Sequence, residues 1–114
     1  MPSFIAKDGR HFVAYVTGPS HVLLGVRFVE HPAEPKLVKE APQGTCSHSP
    51  LDELQVREAV QEALAAFRAE AGANLHAAEI VYVENDSPHY DLFRIAAQLL
   101  AKHYVSGAEF KRVA

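Results

Sequence analysis

The residues with the most obvious chemical potential lie together in one short stretch, Glu84, Asp86, His89 and Asp91, between a predicted strand and a predicted helix. Carboxylates at such a place could ligate Mg²⁺ or work with an imidazole as an acid/base pair. Acidic groups are also favoured at a helix N-terminus by capping and by the helix dipole. The structural interpretation is favoured, and Glu84, His89 and Asp91 are the candidate catalytic residues.

A second candidate is the loop pair Cys46 and His48, which brings a thiol and an imidazole close in sequence. Two ligands separated by one residue do not make a zinc site, and no second pair lies at finger or ribbon spacing. The seven histidines are scattered, without the His-x-His or His-x-x-x-His spacing that groups imidazoles on one strand or helix. The sequence therefore predicts neither a metal site nor a cofactor.

Other patterns that carry chemistry are missing from the sequence. The glycines do not cluster into a phosphate loop, and neither Gly-x-Ser-x-Gly nor His-Glu-x-x-His occurs. Phe12, Tyr15 and Phe28 could stack on the bases of single-stranded RNA. Because lysine and arginine are sparse between them, a role in the core is favoured. An enzyme stays open but is not the favoured interpretation.

Length and charge limit the classes of protein further. With 114 residues, the chain has the size of one domain. Residues 1–50 carry five basic and four acidic side chains, and residues 51–114 carry six and ten. An anionic partner would therefore meet the strand-rich first half, although solvated acidic helix faces account for the bias and are favoured. The single Cys46, the absence of a charged leader and the absence of a long apolar run predict a cytoplasmic protein with no membrane contact.

The first half of the chain reads as a strand meander. Asp8-Gly9 is a strong hairpin turn between apolar residues 4–6 and residues 11–17, which are rich in aromatic and β-branched side chains. Residues 21–30 alternate in the manner of a central strand with one well-buried face. The pattern of residues 36–40 is weaker and leaves a fourth, edge strand open.

The second half alternates helix and strand. Ser49 as N-cap, Pro50 at the first position and Gly72 as the stop predict one helix. A strand over residues 78–84 follows, and Ser87-Pro88 opens a second helix, whose apolar stripe should hold His103 half-buried and hydrogen-bonded. Residues 109–114 are expected to be a frayed tail or a short final turn, within a frayed segment 107–114.

These elements predict one α+β domain over residues 1–114, a two-layer sandwich in the order β-β-β-(β)-α-β-α. Both helices are expected on one face of a single mixed sheet. The other face would then expose apolar side chains such as Leu23 and Val29, which makes a homo-oligomer through the exposed sheet face possible.

Three short stretches occur in the following order along the chain: residues 18–26 (GPSHVLLGV), residues 56–64 (VREAVQEAL), and Asp86-Ser87 followed by residues 93–97 (FRIAA). In this order they resemble domain IV of the bacterial elongation factor G, which has the ribosomal protein S5 domain 2-like fold. The resemblance implies contact with the ribosome or RNA through Gly18, Ser20 and His21. The sequence thus predicts a non-catalytic module that binds protein or structured RNA through its strand-rich half. The alternative is a small enzyme with an acid/imidazole site near His89, Asp91 and Glu84.

Overall fold

A computed structural model describes residues 3–17, 20–40, 52–83 and 90–112. Within them lie two helices and six strands, and this confirms the predicted α+β class. In chain order the elements are β1 (Ser3–Lys7), β2 (Arg10–Thr17), β3 (Ser20–Val29), β4 (Lys36–Glu40), α1 (Glu53–Ala71), β5 (His76–Val83), α2 (Tyr90–Val105) and β6 (Lys111–Arg112).

The strands form one mixed sheet in the order β4-β5-β3-β2-β1-β6. β4 runs parallel to β5 and β6 runs parallel to β1, whereas the other neighbours are antiparallel. β3 is one of the two central strands, as its alternation predicts, and the fourth strand left open by the sequence is present at the sheet edge. The β1–β2 turn is made by Asp8 and Gly9 with φ of 53° and 75°, the left-handed conformation that Asp-Gly turns use.

The C-terminal segment differs from the expected frayed tail. Gly107 ends α2 with φ of 74° and turns the chain back toward the sheet. Phe110 then packs edge-on against the rings of Phe4 and His103, and β6 pairs with β1. The aromatic contacts and the pairing of β6 hold residues 107–112, so this part of the segment is not the frayed tail that was one of the two expectations.

Helix α1 begins later than predicted. Asp52 is its N-cap, with extended backbone and a carboxylate that accepts a hydrogen bond from the N–H of Leu54 at 3.0 Å. The prediction of Ser49 as the cap was therefore wrong, and Ser49 itself lies outside the described residues. At the other end Gly72 has φ of 67° and its N–H donates to the carbonyl of Arg68 at 2.9 Å, which confirms the predicted stop.

The core lies between the helices and one face of the sheet. Leu24 and Val26 of β3 are fully buried there, and Phe93 of α2 is the largest fully buried side chain among the described residues. The predicted apolar stripe of α1 is buried throughout: Val56, Val60, Ala63, Leu64 and Phe67. No helix in the described ranges is long and apolar enough to cross a membrane.

Candidate functional site

The face of the sheet opposite the helices carries a row of charged side chains. Strand register places Lys7 beside Arg10, Arg27 beside Glu79, and Glu79 beside Lys36. The register of β2 on β3 brings Arg10 beside Arg27, so the five residues form one line across five strands, roughly 19 Å long at the usual strand spacing. We call this line the basic row: Lys7, Arg10, Arg27, Glu79 and Lys36.

A second line of side chains runs next to the basic row on the same face. We call it the apolar row, and its members are Ile5, Phe12, Gly25, Val81 and Val38. None of them belongs to the core under the helices. Ile5, Phe12 and Val38 are half-buried, whereas Gly25 and Val81 are buried. Among the described residues, no helix covers this apolar line.

Gly25 leaves space for the Phe12 ring to pack against the sheet. A Cβ atom at this position would stand 2.4 Å from the Phe12 ring, which is closer than non-bonded carbons approach. Because Gly25 has no side chain, the Phe12 ring covers the neighbouring strand, and Gly25 is buried beneath it. The Phe12 ring is therefore packed against the sheet.

Glu79 organises the centre of the basic row. Arg10 donates to its two carboxylate oxygens at 3.0 and 3.3 Å, and Arg27 donates to Oε1 at 2.7 Å. Arg27 also donates from Nη2 to the carbonyl of Asp8 at 3.2 Å. The hydrogen bonds from Arg10 and then Arg27 lower the pKa of Glu79 from 4.5 to about 2, so the carboxylate stays ionised and fixes both guanidinium groups.

The basic row keeps an excess of positive charge. It has four cationic side chains and one carboxylate, and the exposed Lys7 and Lys36 make no ion pair within the described ranges. Lys111 adds another cation beside Ile5 on the same face. The exposed side of α1, in contrast, carries Glu58 and Glu62, so the two layers differ in charge although the whole chain has a net charge of −3.

The predicted binding residues lie at the opposite end of the strands. Ser20 and His21 pair with Thr17 and Val16 where β2 passes into β3, away from the Asp8–Gly9 turn beside the basic row. Gly18 lies outside the described residues, and the side chains of Ser20 and His21 are not described. Their proposed contact with RNA therefore stays a prediction.

Only Asp91 of the candidate catalytic residues is described. It lies in the first turn of α2, exposed, and its carboxylate pairs with Arg94, which also donates to Glu62 at 2.8 Å. This ion pair agrees with the structural interpretation of an acid at a helix start. Glu84 and His89 lie outside the described residues, as do Cys46 and His48. Where the chain is described, no group of three His, Cys, Asp or Glu side chains could hold a metal ion.

The idea of an aromatic stacking platform for RNA does not fit the sheet. Phe28 lies on the helix side, with its ring 4.6 Å from that of Tyr104, whereas Phe12 covers Gly25 on the opposite face. Two rings on opposite faces cannot stack on one strand of RNA. The favoured core role is right for Phe28, and Phe12 packs on the helix-free face.

Two histidines lie in an aromatic cluster at the C-terminal end of α2. His103 stacks on Phe4 at 3.7 Å and its Nε2 donates to the carbonyl of Glu109 at 2.7 Å, which confirms the predicted half-buried, hydrogen-bonded histidine. His11 packs against Tyr104 and Phe110, and its buried Nδ1 has no hydrogen-bond partner among the residues described. Burial and then the charge of Arg112 lower the pKa of His11.

The basic row is the feature that sequence reasoning missed. No two of its cations are adjacent in the sequence, and they meet only across strands. The hairpin turn fixes Lys7 beside Arg10, and strand alternation puts Arg10 and Phe12 on one face. These local signals could have found one end of the row.

Comparison with protein-family models, curated proteins and solved structures found no match for this chain. The resemblance to domain IV of elongation factor G therefore rests on the three short sequence stretches alone.

Proposed function

We propose that the protein is a non-catalytic binding module that docks an acidic surface of a partner protein on the helix-free face of its sheet. The observation that carries this proposal is the pairing of two lines of side chains on that face. The apolar row would supply the dry centre of the interface, and the basic row would supply a charged rim. Cys46 is the single cysteine of the sequence and cannot form an internal disulfide, so the proposal includes a reducing, cytoplasmic location.

The apolar row favours a protein over an RNA as the partner. Interface centres in protein complexes are apolar and poor in charge, and their rims are polar. A single-stranded RNA would instead use stacked aromatic rings beside cations, and the ring of Phe12 already covers Gly25. Structured RNA, bound through phosphates alone, would use only the basic row and would leave the apolar row exposed.

Charge disfavours one arrangement of a second copy on this face, the one with a two-fold axis parallel to the strands. That axis would place one basic row on the other, and like charges in contact oppose association. An acidic partner has no such repulsion, and attraction between opposite charges also speeds its approach.

The experiment places a photo-activated cross-linking amino acid at position 38 in the apolar row, and at position 58 on the exposed side of α1 as a control. We expect position 38 to capture a discrete protein that position 58 does not capture. The captured protein is then purified and its dissociation constant measured. Val38→Asp should weaken binding at least about tenfold, because a charge replaces a side chain in the dry centre.

A matched variant and a fold check complete the test. Glu58→Gln on α1 should leave binding unchanged, and circular dichroism should show that both variants are folded. Equal binding by Val38→Asp and the unchanged chain would contradict the proposal. So would cross-links to RNA or to a second copy only, or substrate turnover by the isolated chain.

A further inference from the structure

The C-terminal segment, residues 107–112, is attached to the sheet edge by a short strand and one aromatic ring. Within the described chain β6 pairs with β1 over two residues, and a strand pair this short has little stability of its own. Phe110 supplies the anchor, because its ring lies 4.6 Å from that of His103 and 4.7 Å from that of His11. The attachment of the segment therefore depends on the state of the rings around Phe110.

His11 lies among uncharged rings at this anchor. Its ring centroid is 4.7, 4.8 and 6.2 Å from those of Phe110, Tyr104 and Phe28, and none of these side chains is charged at acid or neutral pH. The Nδ1 atom of His11 is shielded from water and has no hydrogen-bond partner among the described residues. In a protonated ring both nitrogens are donors, so Nδ1 would carry an unsatisfied N–H in apolar surroundings. Burial is accordingly the larger cause of the lowered pKa of His11.

Arg112 opposes a charge on His11 from the other side of β1. Strand register places Ala6 beside His11 and Arg112 beside Ala6, so the three residues form one line across β2, β1 and β6. The line lies on the helix side of the sheet, because His11 also pairs with Val26, which is fully buried in the core. Only the methyl group of Ala6 stands between the two longer side chains, whose backbones are about 10 Å apart at the usual strand spacing. The charge of Arg112 is the second cause of the lowered pKa of His11.

We propose that protonation of His11 releases residues 107–112 from the edge of the sheet while the rest of the domain stays folded. Release moves Phe110 away from the imidazole, which then reaches water, and it carries Arg112 away as well. Both changes stabilise the charged ring in the released state only. Because the ring takes up one proton, the released fraction rises by at most about tenfold for each unit that the pH falls below 6.5. The switch does not depend on the partner proposed for the helix-free face.

His103 is a matched control, since it is a second histidine in contact with Phe110. Its Nε2 donates to the carbonyl of Glu109 at 2.7 Å, and a protonated imidazole keeps that hydrogen bond. Protonation of His103 should therefore leave the segment attached. His103→Gln removes this titrating group and retains a side-chain N–H donor, whereas His11→Phe removes the other titrating group and retains an aromatic ring in the cluster. Only the second substitution should abolish the response to acid.

The measurement is NMR on the full chain between pH 7 and pH 5 at constant ionic strength. Relaxation dispersion of the amides of residues 107–112 gives the released fraction, and nuclear Overhauser effects between the rings of Phe110 and His11 report the attached state. We expect the released fraction to rise severalfold, and at most about tenfold, per pH unit below 6.5, while the amides of β3 and β5 stay unchanged. In His11→Phe the released fraction should be equal at pH 7 and pH 5, and His103→Gln should retain the response.

Two substitutions on β6 test the part played by Arg112. Successive side chains of a strand point to opposite faces, so Lys111 lies beside Ile5 on the helix-free face, away from His11. Arg112→Gln should reduce the total rise of the released fraction, and Lys111→Gln should leave it unchanged. If His11→Phe fails to fold in a thermal melt, His11→Gln replaces it as the variant that does not titrate. An equal acid response with and without His11, a released fraction that does not change with pH, or loss of the β3 amides together with the segment would overturn the proposal.

Discussion

Replacing Glu79 with Gln isolates the energetic contribution of the basic row. The substitution keeps the size of the side chain and removes the charge that holds Arg10 and Arg27. A pKa lowered from 4.5 to about 2 corresponds to an upper limit of about 3 kcal/mol. The side chains of Arg10 and Arg27 are 26% and 42% exposed, so solvent screens the pairs and reduces the expected loss to about 1–2 kcal/mol.

The lowered pKa of Glu79 determines how its contribution to stability changes with pH. The pKa of Glu79 is lower in the folded chain than in the unfolded chain, so its stabilisation is complete above pH 4.5. It is lost as the pH falls from 4.5 toward 2, where the folded carboxylate becomes protonated. The unchanged chain and Glu79→Gln should therefore differ in free energy of unfolding at pH 7 and converge at pH 2.

Urea unfolding followed by circular dichroism at pH 7, 4 and 2 measures the difference. Glu58→Gln on the exposed side of α1 is the control and should stay within about 0.5 kcal/mol of the unchanged chain. Equal stability of Glu79→Gln and the unchanged chain at pH 7 would refute the reasoning. A difference that persists at pH 2 would show that the loss has a cause other than charge.

Three further predictions concern single features of the fold. Gly25→Ala should cost about 1–2 kcal/mol in urea unfolding, because its Cβ displaces the Phe12 ring, and the cost should disappear in a Phe12→Ala background. Asp52→Ala should lower the free energy of unfolding by about 1 kcal/mol through loss of the N-cap, whereas Asp52→Asn should retain most of it. The lowered pKa of His11 means that the folded chain loses stability as the pH falls below 6.5. In His11→Phe the slope of stability against pH should flatten, and an unchanged slope would contradict the assignment of this loss to His11.

The parts of the fold that the sequence predicts well depend on local chemistry. The Asp8-Gly9 turn needs only two residues that accept positive φ, and the α1 stripe needs only its own helical period. The N-cap of α1 was misassigned because Ser49 and Asp52 both fit a capping pattern, and their spacing alone does not choose between them. Local patterns predict that a helix is present, but its first residue depends on which side chain caps the N-terminus.

The strand β6 could not be predicted for a different reason. Two polar residues, Lys111 and Arg112, have no strand pattern of their own, and their pairing with β1 bridges nearly the whole chain. The segment is held by Phe110, which contacts His103 of the preceding helix and Phe4 of β1, at the other end of the chain. A long-range aromatic contact of this kind has no periodic signal in the sequence.

The basic row could not be predicted for the same reason, since its residues meet only across strands. Its geometry also explains why one carboxylate, Glu79, lies among cations. Arg10, Arg27 and Glu79 come from three strands, so only the assembled sheet brings them together. Without Glu79, two guanidinium groups would lie side by side and repel each other, and both would lose their hydrogen bonds to its carboxylate. With Glu79 they are held in place, so binding of the acidic partner proposed above would cost less side-chain entropy. One carboxylate therefore lowers the positive charge of the face but fixes the position of the charge that remains.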